Sequence, residues 1–273
     1  MPSISTLVED IYALAEGAKA PSPTNKEFTT SYAKWWDEKW ERKEKHLSFS
    51  EVGSQCLRKL WYKVNKPELE ESISGGLRIK FLYGDMLESL VLSLVSSSGH
   101  VVEREQERVT YDVGNGWTIS GRIDAVIDGV MVDVKSTTKF GVQKFENGLQ
   151  DDPFGYKHQL MGYAVATNNS SAGFLTIQKE LGHIGYFPIE VDKGHFHEQA
   201  VAATEAVEMK ENTLPILPPV PQSKTSKNMK LCTTCSYCPY KKECFPKLRT
   251  FMYSGGPEFL TEVVDTPRVL EVV

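Results

Sequence analysis

The segment that most constrains this chain is GRIDAVIDGVMVDVKS, residues 121–136. Asp128-Gly129 between two apolar stretches is the signal of a two-residue type I′ β-hairpin, whose loop residues both take positive φ. With that loop, Ile127 faces Val130 and, stepping outward, Asp124 faces Asp133. Opposed residues on neighbouring strands hold their Cβ atoms about 4.5–5.5 Å apart on one face. Lys135 projects from the face of Asp133, and Val132 and Val134 point the other way, towards a core. Two facing carboxylates repel unless something positive lies between them. A divalent cation such as Mg²⁺ or Mn²⁺, which prefers hard oxygen ligands, meets that need. The bland alternative is a solvated hairpin face on which Asp133–Lys135 is a surface ion pair.

Other residues favour a site. RIKFLYGDMLESLVLSLV (78–95) reads as a largely buried helix. On it, Glu88 shares a stripe with Phe81, Gly84, Leu92 and Val95, where a carboxylate is costly without a partner. Laid over the hairpin, Glu88 supplies a third metal oxygen; reaching solvent at the stripe's edge is the alternative. Gln159 and Tyr163 lie one turn apart on a further helix over 155–166, with Tyr156 a turn before. Such a polar pair can hold a phosphate or fix a catalytic lysine.

The chain has 273 residues, 25% of them charged, and a formal net charge of −5. No apolar run approaches the roughly 18 residues of a membrane span, and the N-terminus lacks a basic leader. The expectation is a cytoplasmic protein without membrane contact. The acidic balance argues against non-specific coating of nucleic acid, though not against nucleic acid as a substrate. Residues 1–46 are expected to form a helical extension, with Trp36 and Trp40 on one helix face. Strands are expected through HVVEREQERVTYDV, WTISGRIDAVI and VMVDVKS, then over 173–178 and 184–191, with a helix over 195–211. The core is expected over 47–213, and the Pro- and Ser-rich stretch 214–230 reads as a linker. A basic, cysteine-rich knuckle at 231–250 is expected to pack back on the core, followed by a tail over 251–273. That tail is a partner-docking segment or, on the simpler reading, a last strand. No GxxxxGK[ST] motif is present, so the chain carries no evident motor.

Four of the five cysteines, Cys232, Cys235, Cys238 and Cys244, lie in the knuckle. Clustered thiols without a secretion signal point to a metal before a disulfide. The run suits a local Cys₄ zinc site and also echoes Fe–S ligand spacing.

In order, GDMLE (84–88), GRID (121–124), DVK (133–135) and QLMGY (159–163) resemble the motifs of the PD-(D/E)XK nuclease superfamily, in its RecB-like branch. The likeness covers roughly residues 48–245 and reaches SFSEVGSQCLRKLWY (48–62), with Leu57 where that branch commonly has Pro. It implies an α/β, restriction-endonuclease-like core with a central mixed β-sheet flanked by helices, and Glu88, Asp124, Asp133, Lys135, Gln159 and Tyr163 as catalytic residues. It further implies that Glu88, Asp124, Asp133 and the carbonyl of Val134 hold one or two Mg²⁺ or Mn²⁺ ions. Cys56 with Cys235, Cys238 and Cys244 would hold a [4Fe–4S] cluster, Cys232 being a spare thiol or alternative ligand and Zn²⁺ the alternative metal. Arg58, Lys59, Lys241 and Lys242 are the candidate DNA contacts. The function so implied is a metal-dependent exonuclease on single-stranded or end-exposed DNA, in replication, recombination or repair, in a bacterial, archaeal or phage-infected cytoplasm and in company with a replication or recombination partner. A structure-selective or restriction-type endonuclease and a non-cleaving, metal-stapled DNA-binding adaptor are the rivals.

Overall fold

The structure, a computed structural model, describes residues 3–15, 47–72 and 75–272. The helix expected around Trp36 and Trp40 lies outside the described residues. The chain forms two compact units, Met1–Gly53 with Ser74–Val201, and Ser54–Ile73 with Ala202–Val273.

The first unit contains α1 (Leu7–Ala15), α2 (Phe49–Val52) and, after the segment that belongs to the second unit, a long helix at Gly75–Ser97. The second unit's α3 (Leu57–Asn65) precedes that long helix, which is therefore α4. Strands β1 (Val102–Glu103), β2 (Arg108–Asp112), β3 (Thr118–Arg122), β4 (Ala125–Ile127) and β5 (Val130–Thr137) follow. Next come α5 (Lys139–Glu146), α6 (Tyr156–Ala166), β6 (Ala172–Gln178), β7 (Ile184–Ile189) and α7 (Lys193–Glu208). The central sheet runs β1-β4-β5-β6-β7; it is mixed, since β5 and β6 are parallel while β4–β5 and β6–β7 are antiparallel. The parallel pair needs a crossover, and α5 and α6 supply it. Helix α5 is an element that the sequence reading left unassigned.

Alternation along β5 divides the sheet's faces as expected. Val132 and Val134 join Leu175 and Ile177 in a core that α1 and α4 cover with Leu7, Ile11, Val91, Leu92 and Val95. Phe145 of α5 lies over the opposite face, against Phe174 and Phe187. Strands β2 and β3 form a separate two-stranded ribbon. Ser48 starts α2 through a capping box with Glu51, which bonds the Ser48 amide at 2.9 Å.

The hairpin loop has the expected geometry, with φ of 50° at Asp128 and 83° at Gly129, and Ile127 paired with Val130. Asp128 does more than turn the chain. Its carboxylate accepts from the Val101 amide at 3.0 Å and meets His100 Nδ1 at 2.7 Å, while His100 Nε2 meets Asp10 of α1 at 3.1 Å. A buried imidazole thus ties the first helix to the hairpin.

The second unit adds β8 (Val220–Pro221), β9 (Met229–Lys230), α8 (Thr233–Ser236), α9 (Lys241–Cys244), β10 (Arg249–Tyr253), β11 (Gly256–Glu262) and β12 (Leu270–Val272) to α3. Its antiparallel sheet runs β12-β10-β11-β9-β8. The stretch expected as a linker therefore contributes two strands, and the tail contributes a hairpin and an edge strand. Asn228 organises the connection: its Oδ1 accepts from the Val264 and Asp265 amides at 2.8 and 2.9 Å. No described helix is long and apolar enough to cross a membrane.

Candidate active site

The continuous strand expected through WTISGRIDAVI is two strands in two sheets. Ile123 donates its amide to the Glu107 carbonyl, and Gln106 donates its amide to the Asp124 carbonyl. These bonds carry the chain from the β2–β3 ribbon to the central sheet. The β4–β5 ladder ends at Ala125–Val132, so Asp124 lies one position beyond the last pair. There its Oδ2 accepts the Val134 amide proton at 2.7 Å, which holds it beside Asp133.

Asp133 is 1% exposed, and its Oδ1 is buried with no hydrogen-bond partner. Lys135 Nζ lies 2.7 Å from the other oxygen and 4.9 Å from the centre of the Tyr156 ring. Burial raises the Asp133 pKa, against the pull of Lys135. Burial and then the Asp133 charge push Asp124 up to about 7. For Lys135, burial disfavours the ammonium, but Asp133 and Asp124 outweigh it and keep the proton bound more firmly than on a free lysine.

Glu88 reaches this group from α4. Burial, then the charges of Asp124 and Asp133, raise its pKa well above the usual carboxylate range. Its Oε1 accepts from Gln106 Nε2 at 2.5 Å. Gln106 therefore touches two of the three carboxylate residues, Asp124 through the backbone and Glu88 through the side chain. No periodicity marks it, and the sequence reading missed it. The stripe assigned to Glu88 holds for Leu92 and Val95 but not for Phe81, which is 48% exposed. Gly84 approaches Ser136 on β5, and Phe81 lies a turn farther towards the helix start.

Gln159 and Tyr163 project from α6 as expected, with Gln159 Nε2 3.4 Å from the Tyr163 hydroxyl. Tyr163 is buried and feels the charges of Asp133, Asp124 and Lys135. Its hydroxyl explains the glycine of GRID, because a Cβ at Gly121 would sit 2.8 Å from that oxygen and 3.0 Å from the Phe49 ring. The first unit thus gathers Glu88, Asp124, Asp133, Lys135, Gln159 and Tyr163 in one neighbourhood. A family model described as the PD-(D/E)XK nuclease superfamily matches residues 6–245.

The chain belongs to that superfamily. The mixed sheet with flanking helices is its restriction-endonuclease-like core. No relative was found among curated proteins. Among solved structures, the chain is similar to an alkaline exonuclease from Laribacter hongkongensis, at 13% identity and TM-score 0.45, covering 62% of this chain and 90% of that one. A phage-related exonuclease from Haemophilus somnus 129PT is similar at 14% identity and TM-score 0.41, covering 62% of this chain and 94% of that one. Members of the superfamily typically use divalent metals. Among the described residues, no group of three or more His, Cys, Asp or Glu side chains is gathered closely enough, as it stands, to hold an ion. The donor set nonetheless suits a hard cation: carboxylate oxygens, one of them buried without a donor, in a group where burial, joined at Glu88 and Asp124 by neighbouring carboxylate charge, raises the pKa of Glu88, Asp124 and Asp133.

Within the second unit, all five cysteines are neighbours. Cys235 feels Cys232, Cys56 and Cys238, and both Cys238 and Cys244 feel Cys56. Backbone amides of Arg58 and Lys59 point at the Cys56 sulfur, the Tyr240 amide at Cys238 (3.4 Å), and the Arg58 side chain at Cys244. Burial raises the thiol pKa values of Cys56, Cys235, Cys238 and Cys244, Cys238 to about 11. Of the cations named for DNA, Arg58 is committed to Glu211, at 2.9 Å, and to the Glu211 and Leu214 carbonyls. Lys241 pairs with Glu71. Lys242, 3.3 Å from the same carboxylate, has a side chain 71% exposed, and Lys59 is half-buried beside the cysteines.

Proposed function

We propose that the chain is a metal-dependent exonuclease acting on single-stranded or end-exposed DNA, working with a replication, recombination or repair partner in the cytoplasm. The observation that carries this reading is the buried Asp133 oxygen without a donor, set beside Asp124, Glu88 and Lys135. Glu88, Asp124, Asp133 and the Val134 carbonyl would hold Mg²⁺ or Mn²⁺. When bound, the ion supplies Lewis-acid polarisation of the phosphate and a lowered pKa for the attacking water. Lys135, kept protonated by its two aspartates, orients that water and offsets negative charge on the phosphate oxygens. Tyr156 supports the lysine from below, and Gln159 with Tyr163 offers polar atoms to a phosphate on the same side. Lys242 and Lys59 are the cations that this reading assigns to the DNA backbone.

The test is digestion of end-labelled linear single strands and of circular single strands, with Mg²⁺ and with EDTA. Linear strands are expected to be degraded only with Mg²⁺, and circles to survive. Cleavage of circles overturns the exonuclease assignment, and full activity in EDTA overturns the metal.

In the second unit, the proposal is a [4Fe–4S] cluster on Cys56, Cys235, Cys238 and Cys244, with a structural role. Its support is the convergence of thiols from the two ends of the unit and the N–H groups aimed at their sulfurs, a pattern that stabilises metal-bound thiolates. An anaerobic preparation is expected to be brown, and Cys56→Ser to lose that absorbance while Cys232→Ser keeps it. A colourless protein that carries zinc replaces the cluster with a Zn²⁺ site.

A further inference from the structure

The sheet face that bears Asp133 carries a second feature. Register sets Phe174 of β6 beside Asp133, and Phe187 of β7 beside Phe174. At the ~4.8 Å spacing of strands, Phe187 stands about 10 Å from Asp133. Phe145 of α5 closes over both rings, its centroid 5.2 Å from Phe174 and 5.8 Å from Phe187. The same ring lies parallel to Tyr156 at 6.5 Å, and Tyr156 is the ring under Lys135.

These three phenylalanines and Leu149 line a cavity of about 140 Å³, whose wall also includes Lys157 and Glu190. Glu190 is exposed and Lys157 half-buried at its mouth; Phe187 is half-buried, with Phe145 and Phe174 buried behind it. An apolar cavity of about 150 Å³ accommodates one benzene ring. The space is thus that of a single six-membered ring, with Phe187 the aromatic face partly open to it and one cation and one carboxylate at its mouth. A nucleobase matches each part. Its π-face stacks on Phe187, its exocyclic amine donates to a carboxylate, and its phosphate is drawn to a lysine.

We propose that this cavity is a subsite for one unpaired, pyrimidine-sized base of the strand whose phosphate is at Asp133 and Lys135. The inference rests on reading that centre as a DNA nuclease. The seated base lies up to about three nucleotides from the scissile phosphate, taking the ~3.4 Å rise of a stacked strand. Glu190 favours cytosine, whose amine donates, over thymine, which offers a carbonyl.

The test measures binding of short labelled single strands to the full chain in EDTA, with one abasic site moved along the strand. One position is expected to weaken binding about 5- to 150-fold, the range of a lost base–aromatic stack, and its neighbours far less. Phe187→Ala is expected to remove that positional dependence. Glu190→Gln, at an exposed position, is expected to keep it and lose the preference for cytosine over thymine there. Equal binding at every abasic position in the parent chain, or the same positional penalty in Phe187→Ala, overturns the proposal. Repeating the series with Mg²⁺ separates the two readings: a positional penalty without cleavage leaves the subsite and removes the nuclease, and cleavage without a penalty does the reverse.

Discussion

Lys135→Ala is expected to lower DNA cleavage by about 10²–10³-fold or more, the usual cost of removing a charge that faces the developing anion. It is also expected to lower the melting temperature of the EDTA-treated protein by several degrees. Asp133 is 1% exposed and Lys135 lies 2.7 Å from it, so truncating the lysine leaves a buried carboxylate beside Asp124 and Glu88. Breaking a buried pair in this way costs about 3–5 kcal/mol, and somewhat less here because the lysine side chain is 22% exposed. Asp133→Ala with Lys135→Ala removes the stranded charge, so the double variant should melt above the Lys135→Ala single while remaining inactive. Calorimetry and an end-labelled cleavage assay read both effects. Parental rates in Lys135→Ala end the assignment of this lysine.

Asp124→Asn should lose activity to a similar degree and yet stabilise the metal-free protein. In the folded chain Asp124 titrates at about 7, raised by burial and by Asp133, against about 3.9 in an unfolded chain. A carboxyl whose pKa is raised by folding contributes full stability below the unfolded value and loses it as pH climbs through the folded one. In EDTA the parent protein is therefore expected to lose stability between about pH 4 and pH 7, relative to Asp124→Asn. The asparagine keeps an oxygen for the Val134 amide, so the hydrogen bond survives. The gap in melting temperature between variant and parent should be near zero at pH 4 and largest above pH 7. Adding Mg²⁺ should then raise the parent's melting temperature in a concentration-dependent way and leave the variant less affected. A gap that does not change with pH contradicts the repulsion argument.

What the sequence made legible was local. Asp128-Gly129 determines its own turn, and the period of two carries Asp133 and Lys135 to one face with Val132 and Val134 on the other. Glu88, Gln159 and Tyr163 were readable because helical spacing and motif order point to them. Features that depend on distant partners were not. Arg58 and Lys241 read as DNA cations because charge is visible in a sequence, whereas Glu211 and Glu71, 153 and 170 residues away, are not visible as their partners. The break between β3 and β4 arises from the bonds of Gln106 and Ile123, which leave no mark on an otherwise strand-like run. The second unit's sheet was hidden for another reason. Strands β8 and β9 are two residues each, too short for any alternation, and one of the four is a proline.

The second unit is assembled from two segments, Ser54–Ile73 and Ala202–Val273, with Ser74–Val201 of the first between them in sequence. Cys56 and Cys235 meet in it, although 179 positions separate them. At ~5–20 residues per second of synthesis, the earlier thiol waits roughly 9–36 seconds for the later one. During that interval the strands of the first unit's sheet, between Val102 and Ile189, are synthesised, while Cys56 is without its later partners. If these cysteines hold the proposed cluster, its filling would be decided by what the nascent chain encounters during manufacture as much as by the finished fold, and expression at a slower rate or under air should change the cluster content.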